Sequence, residues 1–142
     1  MLKHKKARGQ AYVEFVVVLP GLLLLTLLIW EFAYFWWARE VTATATFEGA
    51  RQVAVGQAAA RGHQVYAEIM RTGLGRLSPE HSGYYSIAVR PAYRTVQAQA
   101  NVPYHWPTGL GALMGGGLEL DLKSSAFFRL EQFYPGPPDK FE

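Results

Sequence analysis

The residues with the clearest claim to chemistry lie near the start of the chain. Gly9 is followed five residues later by Glu14, with Gln10 and Phe15 on either side of the interval, and an uncharged apolar run begins at Phe15. An ionised carboxylate entering hydrocarbon is costly unless it is paired or can reach the interface. Two readings follow. Glu14 reaches the interface, with Lys5, Lys6 or Arg8 as partners, or the acid has a role at that depth. A second acid, Glu31, sits near the far end of the run. It reads either as an interfacial carboxylate beside Arg39 or as a subunit contact. Farther on, Glu48-Gly49-Ala50-Arg51 is small in the middle. Gly49 and Ala50 permit close helix approach; otherwise the stretch is an ordinary solvated helix face.

Other chemistry finds little support. His4, His63, His81 and His105 are scattered without metal-ligand spacing. Ser78, Ser82, Ser86, Ser124 and Ser125 lack a nucleophile-elbow pattern. Gly73-Leu74-Gly75 and Gly115-Gly116-Gly117 lack the lysine and hydroxyl residue of a phosphate loop. With no cysteine in the sequence, disulfides, thiolate catalysis and cysteine zinc sites are excluded. The expectation is a protein that is not an enzyme and holds no cofactor or metal.

Charge and hydropathy say what positions Glu14. Lys3, Lys5, Lys6 and Arg8 precede the first acid, whereas residues 40–142 carry nine Lys or Arg and nine Asp or Glu. A basic patch this short and this placed orients a membrane span with its N-terminus in the cytoplasm and does not suggest nucleic acid. Phe15–Trp30 is sixteen residues with only Thr26 polar, and Tyr12–Trp37 extends the apolar run across Glu14 and Glu31. The span is placed at about residues 13–37, long enough to cross. Tyr34, Trp36 and Trp37 fall where an interfacial aromatic belt belongs. Pro20 and Gly21 lie in its first turns. A cleaved secretory signal, cut at Ala43-Thr44-Ala45, is the competing reading. The length of the run, and the aromatic cluster with Arg39 and Glu40 before Ala43, argue against it.

Beyond the span the pattern predicts an α+β fold. The long N-terminal transmembrane helix, residues 10–62, continues into a small domain and stops near Gly56 or Gly62. Ala43, Phe47, Ala50 and Ala54 make its apolar stripe. A short second helix fits Gln64–Thr72, with Val65, Ile69 and Leu74 on one side. An antiparallel sheet of about three or four strands follows: Tyr84–Arg90, a turn at Pro91–Tyr93, Arg94–Val102, and a strand from Leu118 that continues through Phe128 and Leu130. The loop Pro103–Gly117 carries Trp106, Leu110, Leu113 and Met114, which either fold over the small core or meet a membrane or partner. The organisation is a basic cytoplasmic leader (1–9), the helix (10–62), a non-cytoplasmic α+β domain (63–133) and a proline-rich tail (134–142).

The stretch Lys5–Leu25 resembles the class III signal of type IV pilins and pseudopilins, which a prepilin peptidase cuts after the glycine. The resemblance is closest to the TadE-like family, pseudopilins or minor pilins of the tight-adherence (Flp) pilus system. It rests on Arg8-Gly9-Gln10-Ala11-Tyr12-Val13-Glu14-Phe15, the Leu19-Pro20 step, Glu31-Phe32 and Glu48-Gly49-Ala50-Arg51, in that order over residues 8–54. It weakens over Thr95–Val102 and Ala126–Glu131. What it implies is cleavage between Gly9 and Gln10, with Glu14 as the fifth residue of the mature chain facing a neighbour's new α-amino group. The implied partners are other pilin or pseudopilin subunits, Tad-type assembly machinery, prepilin peptidase and membrane lipid. The implied place is the inner membrane, single-pass, with the C-terminal domain periplasmic or extracellular and the subunit incorporated in a pilus. The alternative is an uncleaved, membrane-anchored scaffold or binding module of an envelope assembly.

Overall fold

The structure, a computed structural model, describes residues 3–75, 84–104, 106–109 and 120–130, with side chains from Gly9 onward. Two compact units make up the chain, Met1–Tyr34 and Phe35–Glu142. The first helix, α1 (Lys3–Ala54), is 52 residues long and takes in Pro20 without ending. Its most apolar 18-residue window has a mean hydropathy of 2.4, and none of it is buried. Large apolar side chains from Tyr12 to Trp30 are exposed around the helix. A helix apolar on every side and uncovered is suited to hydrocarbon rather than water. Residues 13–37 rise roughly 37 Å, against a hydrocarbon layer of roughly 30 Å. Within Phe15–Trp30 the one polar side chain, Thr26, donates its hydroxyl to the Leu22 carbonyl at 2.8 Å, so that hydroxyl is not left bare to lipid.

The helix expected over 10–62 is shorter at its C-terminal end. It stops at Ala54, the earlier of the two anticipated glycine stops, because Gly56 takes φ 91°. The Gln57 amide then donates to Gln52 O at 3.0 Å and the Gly56 amide to Val53 O at 3.0 Å. That pair of bonds is the αL helix stop that glycine favours. A new helix, α2 (Ala59–Leu74), starts within the stretch first assigned to α1. It is longer than the expected Gln64–Thr72 because Arg61 and Gly62 both donate to Ala58 O.

Within the second unit, β1 (Tyr85–Arg90), β2 (Thr95–Tyr104) and β3 (Leu120–Arg129) form an antiparallel sheet in the order β1-β2-β3. The 3-10 turn Pro91–Tyr93 joins β1 to β2 and closes on Arg94, which sits at φ 48°. Register follows the alternation: Ile87 opposes Ala98, which opposes Ala126, and Val89 opposes Val96, which opposes Phe128. One face buries Tyr85, Val96, Ala98, Ala100, Val102, Tyr104, Leu122 and Ala126. Both helices meet the sheet through aromatic rings. Phe35 lies edge-on to Tyr104 at 5.1 Å, Phe47 tilts against Phe128 at 4.8 Å, and Tyr66 stacks on Tyr85 at 4.0 Å. Pro103 and Tyr104, expected in a loop, are strand residues. Leu110, Leu113, Met114, Glu131 and the tail 134–142 lie outside the described residues.

The buried face of α1 is not the stripe that apolar spacing suggests. Ala50 and Ala54 belong to it, but Ala43 and Phe47 are exposed, and Ala38, Val41, Thr42, Ala45, Thr46 and Val53 complete it. Thr42 and Thr46 can be buried because each hydroxyl donates to the carbonyl one turn back, Ala38 O at 2.8 Å and Thr42 O at 2.7 Å. On α2 the buried line is Gly62, Tyr66, Met70 and Leu74, with Val65 and Ile69 only half-buried beside it.

The stacked phenols carry a consequence for alkaline stability. Burial pushes Tyr66 from an ordinary value of 10.0 up to about 12. Tyr85 is raised through its own burial and the neighbouring Tyr66. In the unfolded chain both lose their protons first, so the stability they hold below pH 10 falls as pH rises through that value toward 12. Denaturant unfolding of the detergent-solubilised protein should show a midpoint that drops over that window. Tyr66→Phe should remove part of the slope.

Candidate functional site

The candidate site starts from a glycine that the fold does not use. Gly9 is helical, exposed and without a positive φ, and a Cβ built there meets no atom within 4 Å. Glycine inside a helix costs about 0.5–1 kcal/mol relative to alanine, and nothing packed against Gly9 recovers that. One residue on, the Gln10 side-chain amide donates to Glu14 Oε1 at 3.0 Å. The i,i+4 spacing puts both on one face, and both are exposed, as is Phe15. So α1 assembles three features within two turns: a glycine at position 9 that no packing requires, a carboxylate at Glu14, and a fully apolar helix starting at Phe15.

The other expected site residues are placed differently. Glu31 lies roughly 25 Å along α1 from Glu14, so the two acids do not form a pair. Glu31 is buried and engaged within the chain. The Arg39 guanidinium sits 5.3 Å from the centre of the Trp36 ring, a cation–π arrangement.

Gly49 and Ala50 are both buried. The close helix approach expected of them is present, and it joins α1 to α2 of the same chain. A Cβ on Gly49 would strike the Tyr85 hydroxyl and come within 2.9 Å of the Gly62 carbonyl. The relation is reciprocal: a Cβ on Gly62 would lie 2.8 Å from the Gly49 carbonyl and 2.6 Å from Ile87 Cδ1. At the other end of the pair, Gly73 faces Val41 at 2.6 Å in the same construction, and Trp37 Nε1 donates to Gly73 O at 3.3 Å. Contacts 49 to 62 and 41 to 73 make the hairpin antiparallel. Gly62 and Gly73 read in sequence only as helix stops; their occurrence inside a helical stretch was the available signal for close packing.

Tyr85 covers the Gly49–Gly62 crossing. His63 sits edge-on to its ring at 5.1 Å. The hydroxyls of Tyr66 and Tyr85 are buried with no hydrogen-bond partner among the described residues. Among those residues no group of three or more His, Asp or Glu could hold a metal ion. His81, His105, Ser78, Ser82 and the Gly115–Gly117 cluster lie outside them.

The family model described as TadE-like protein matches residues 9–51. That is the stretch over which the sequence resembles the family, and the match ends within α1, before α2 and the sheet. No curated protein and no solved structure matches the chain. The match and the helix long and apolar enough to cross a membrane support a membrane protein associated with Tad systems.

The Gly49–Tyr85 contact gives a double-mutant test. Gly49→Ala should destabilise the protein by about 1–3 kcal/mol, the usual cost of overpacking. Tyr85→Phe alone should be neutral or mildly stabilising, because it removes a buried hydroxyl that lacks a partner. Combined, Tyr85→Phe should recover part of the Gly49→Ala loss but not all, since the Gly62 carbonyl remains. Purely additive effects in denaturant unfolding would refute the contact.

Proposed function

We propose that this chain is a pseudopilin or minor pilin, a structural and assembly subunit of a Tad (Flp, type IVb) pilus, processed by a prepilin peptidase and assembled through α1. The observation that carries the reading is Gly9: a helical glycine with no packing reason, followed by Gln10 and Glu14 on one face at the threshold of an exposed apolar helix. A peptidase needs the backbone extended at the cut, and glycine is the residue whose helix is most readily unwound. Cleavage there removes Lys3, Lys5, Lys6 and Arg8 and frees an α-amine on Gln10. The basic leader that fixes orientation is thus shed from a chain whose new first residue carries a single ammonium.

The position of Glu14 supports a role in subunit pairing. In the uncleaved chain the Gln10 amide already donates to Glu14, which satisfies one acceptor but, being neutral, brings no compensating charge. A neighbour's Gln10 α-amine supplies the compensating charge. Two ions that are each costly in an apolar bundle offset one another and fix the axial register between subunits. The proposed role is structural, without catalysis. Its partners are other pilin-like subunits, the Tad assembly machinery, prepilin peptidase and lipid. The proposed location is the inner membrane, with residues beyond about Glu40 on the periplasmic side. The alternative, an uncleaved anchored scaffold, differs at one observable point, the first residue of the protein isolated from membranes.

Three measurements follow. The mature chain should begin at Gln10, and Gly9→Val should leave a longer, more basic precursor. A chain beginning at Met1 in cells with active prepilin peptidase would favour the scaffold. Protease added to spheroplasts should degrade the domain beyond Glu40 and spare the N-terminus; a protected domain would invert the topology. Glu14→Ala should leave cleavage and the outer domain intact but reduce crosslinking to other pilus components. Losing the acid strands an ammonium in the bundle, at about 3–5 kcal/mol when it cannot reach water. Glu14→Gln should also impair crosslinking, because it keeps the shape and loses the charge. Wild-type association of both variants would refute the pairing while leaving the cleavage site standing.

A further inference from the structure

We propose that the turn after β2, Trp106–Gly109, is a second membrane contact, seated in the lipid headgroup region beside the outer end of the α1 span; this rests on reading α1 as a membrane span. The argument begins with a chain of rings in the second unit. Phe35, in the last turns of the span, lies edge-on to Tyr104 at 5.1 Å and 87°. Tyr104 in turn lies edge-on to Trp106 at 5.5 Å and 75°. Trp36 and Trp37, adjacent to Phe35, are about half exposed, at 50% and 55%. Tryptophan and tyrosine collect at the headgroup level because their rings are apolar and their N–H or O–H is not. The rings of the span and the rings at the end of β2 therefore form one belt, so the new surface is continuous with the span's own interface.

The turn itself is built rather than loose. The Gly109 amide donates to Trp106 O at 3.4 Å, with Pro107 at the second position and Gly109 at φ 73°. Thr108 and Gly109 are exposed at its tip. The end of α2 lies at the same level through the Trp37 bond to Gly73 O. Two exposed cations lie beside the Trp36–Trp37 and Gly73 level, Arg71 in the last turn of α2 and Arg39 over Trp36. Both suit lipid phosphate, and Arg39 and Arg71 stand beside the exposed acids Glu40 and Glu68. The opposite end of β2 provides the contrast. Ten residues of strand, roughly 33 Å, separate Tyr104 from the Tyr93–Arg94 turn, where Tyr93 is 75% exposed. That turn should stand clear of the bilayer.

The sequence contains no cysteine, so single cysteines can report depth without background. Thr108→Cys, Tyr93→Cys and Leu24→Cys in the full chain are labelled with an environment-sensitive fluorophore. Each is reconstituted in vesicles of phosphatidylethanolamine and phosphatidylglycerol. Quenching by headgroup-labelled nitroxide lipid is compared with quenching by aqueous iodide. The expected result is that nitroxide lipid exceeds iodide at position 108 and that the order reverses at position 93, with position 24 inaccessible to iodide. If position 24 is shielded but positions 108 and 93 behave alike, the second contact is refuted and the span stands. If position 24 is open to iodide, the span reading fails and the proposal falls with it.

Discussion

One helix has to be soluble in two media, and that requirement shapes the rest of the molecule. From Phe15 to Trp30, α1 meets its surroundings with valine, leucine and isoleucine on all sides. Its outer part, from Ala38 to Ala54, is one-sided and dominated by small residues on the buried face: Ala38, Ala45, Gly49, Ala50 and Ala54, with Thr42 and Thr46. In hydrocarbon there is no reason to segregate apolar residues. In an aqueous domain the helix must bury one face. The change of pattern falls beside Trp36, Trp37 and Arg39, where the aromatic belt and the first charge beyond the span coincide.

The small face explains how so short a domain builds a core. A domain of this size has little apolar surface to bury. Residues without bulk let α1 approach α2 until the backbones of Gly49 and Gly62 touch, and van der Waals contact between backbones takes the place of large interlocking side chains. The aromatic residues then fill the spaces that remain: Tyr66 on Tyr85, Phe47 on Phe128, Phe35 on Tyr104. The phenol hydroxyls of Tyr66 and Tyr85, buried without partners among the described residues, are the cost of using tyrosine there. What favours tyrosine over phenylalanine at both places does not follow from the packing.

Much of this was legible in the residues, for identifiable reasons. The span was legible because sixteen uncharged residues in a row leave few alternatives. The strands were legible because alternation at Val96, Ala98, Ala100 and Val102 has only one pleated reading, and their register followed. The buried face of α1 was misread at Ala43 and Phe47 because apolarity was used as the guide. Threonine that bonds its own backbone is as buriable as alanine, and small size mattered more than hydropathy. The helical hairpin stayed hidden because glycine in a helix reads as a stop. Only the partner backbone reveals that its missing Cβ is the point. Gly9 is the converse case: legible as special from sequence through its spacing to Glu14, and in the structure, like Gly21, without a described neighbour that requires it.

That contrast between glycines separates the two kinds of evidence about function. Gly49, Gly62 and Gly73 are accounted for by contacts within the chain, so their presence says nothing about a partner. Gly9, with open space where its side chain would be, has no such account, and among the described side chains no cation lies against Glu14. The Gln10 amide satisfies a lone pair of that carboxylate but is neutral. In water a neutral donor suffices. At the edge of hydrocarbon the uncompensated charge persists as an unfavourable term that only a cation of comparable depth removes. Lys5, Lys6 and Arg8 could serve before processing, but on the helix they lie on the N-terminal side of Glu14, and cleavage at Gly9 would take all of them away. The residual cation would then be the α-amine of Gln10, whose own Glu14 is one turn farther along the helix. The nearest geometry that brings amine and carboxylate to the same depth uses two chains offset along the helix axis by about that turn, roughly 5–6 Å. An axial stagger between parallel helices, repeated from chain to chain, is the step from which a helical filament grows.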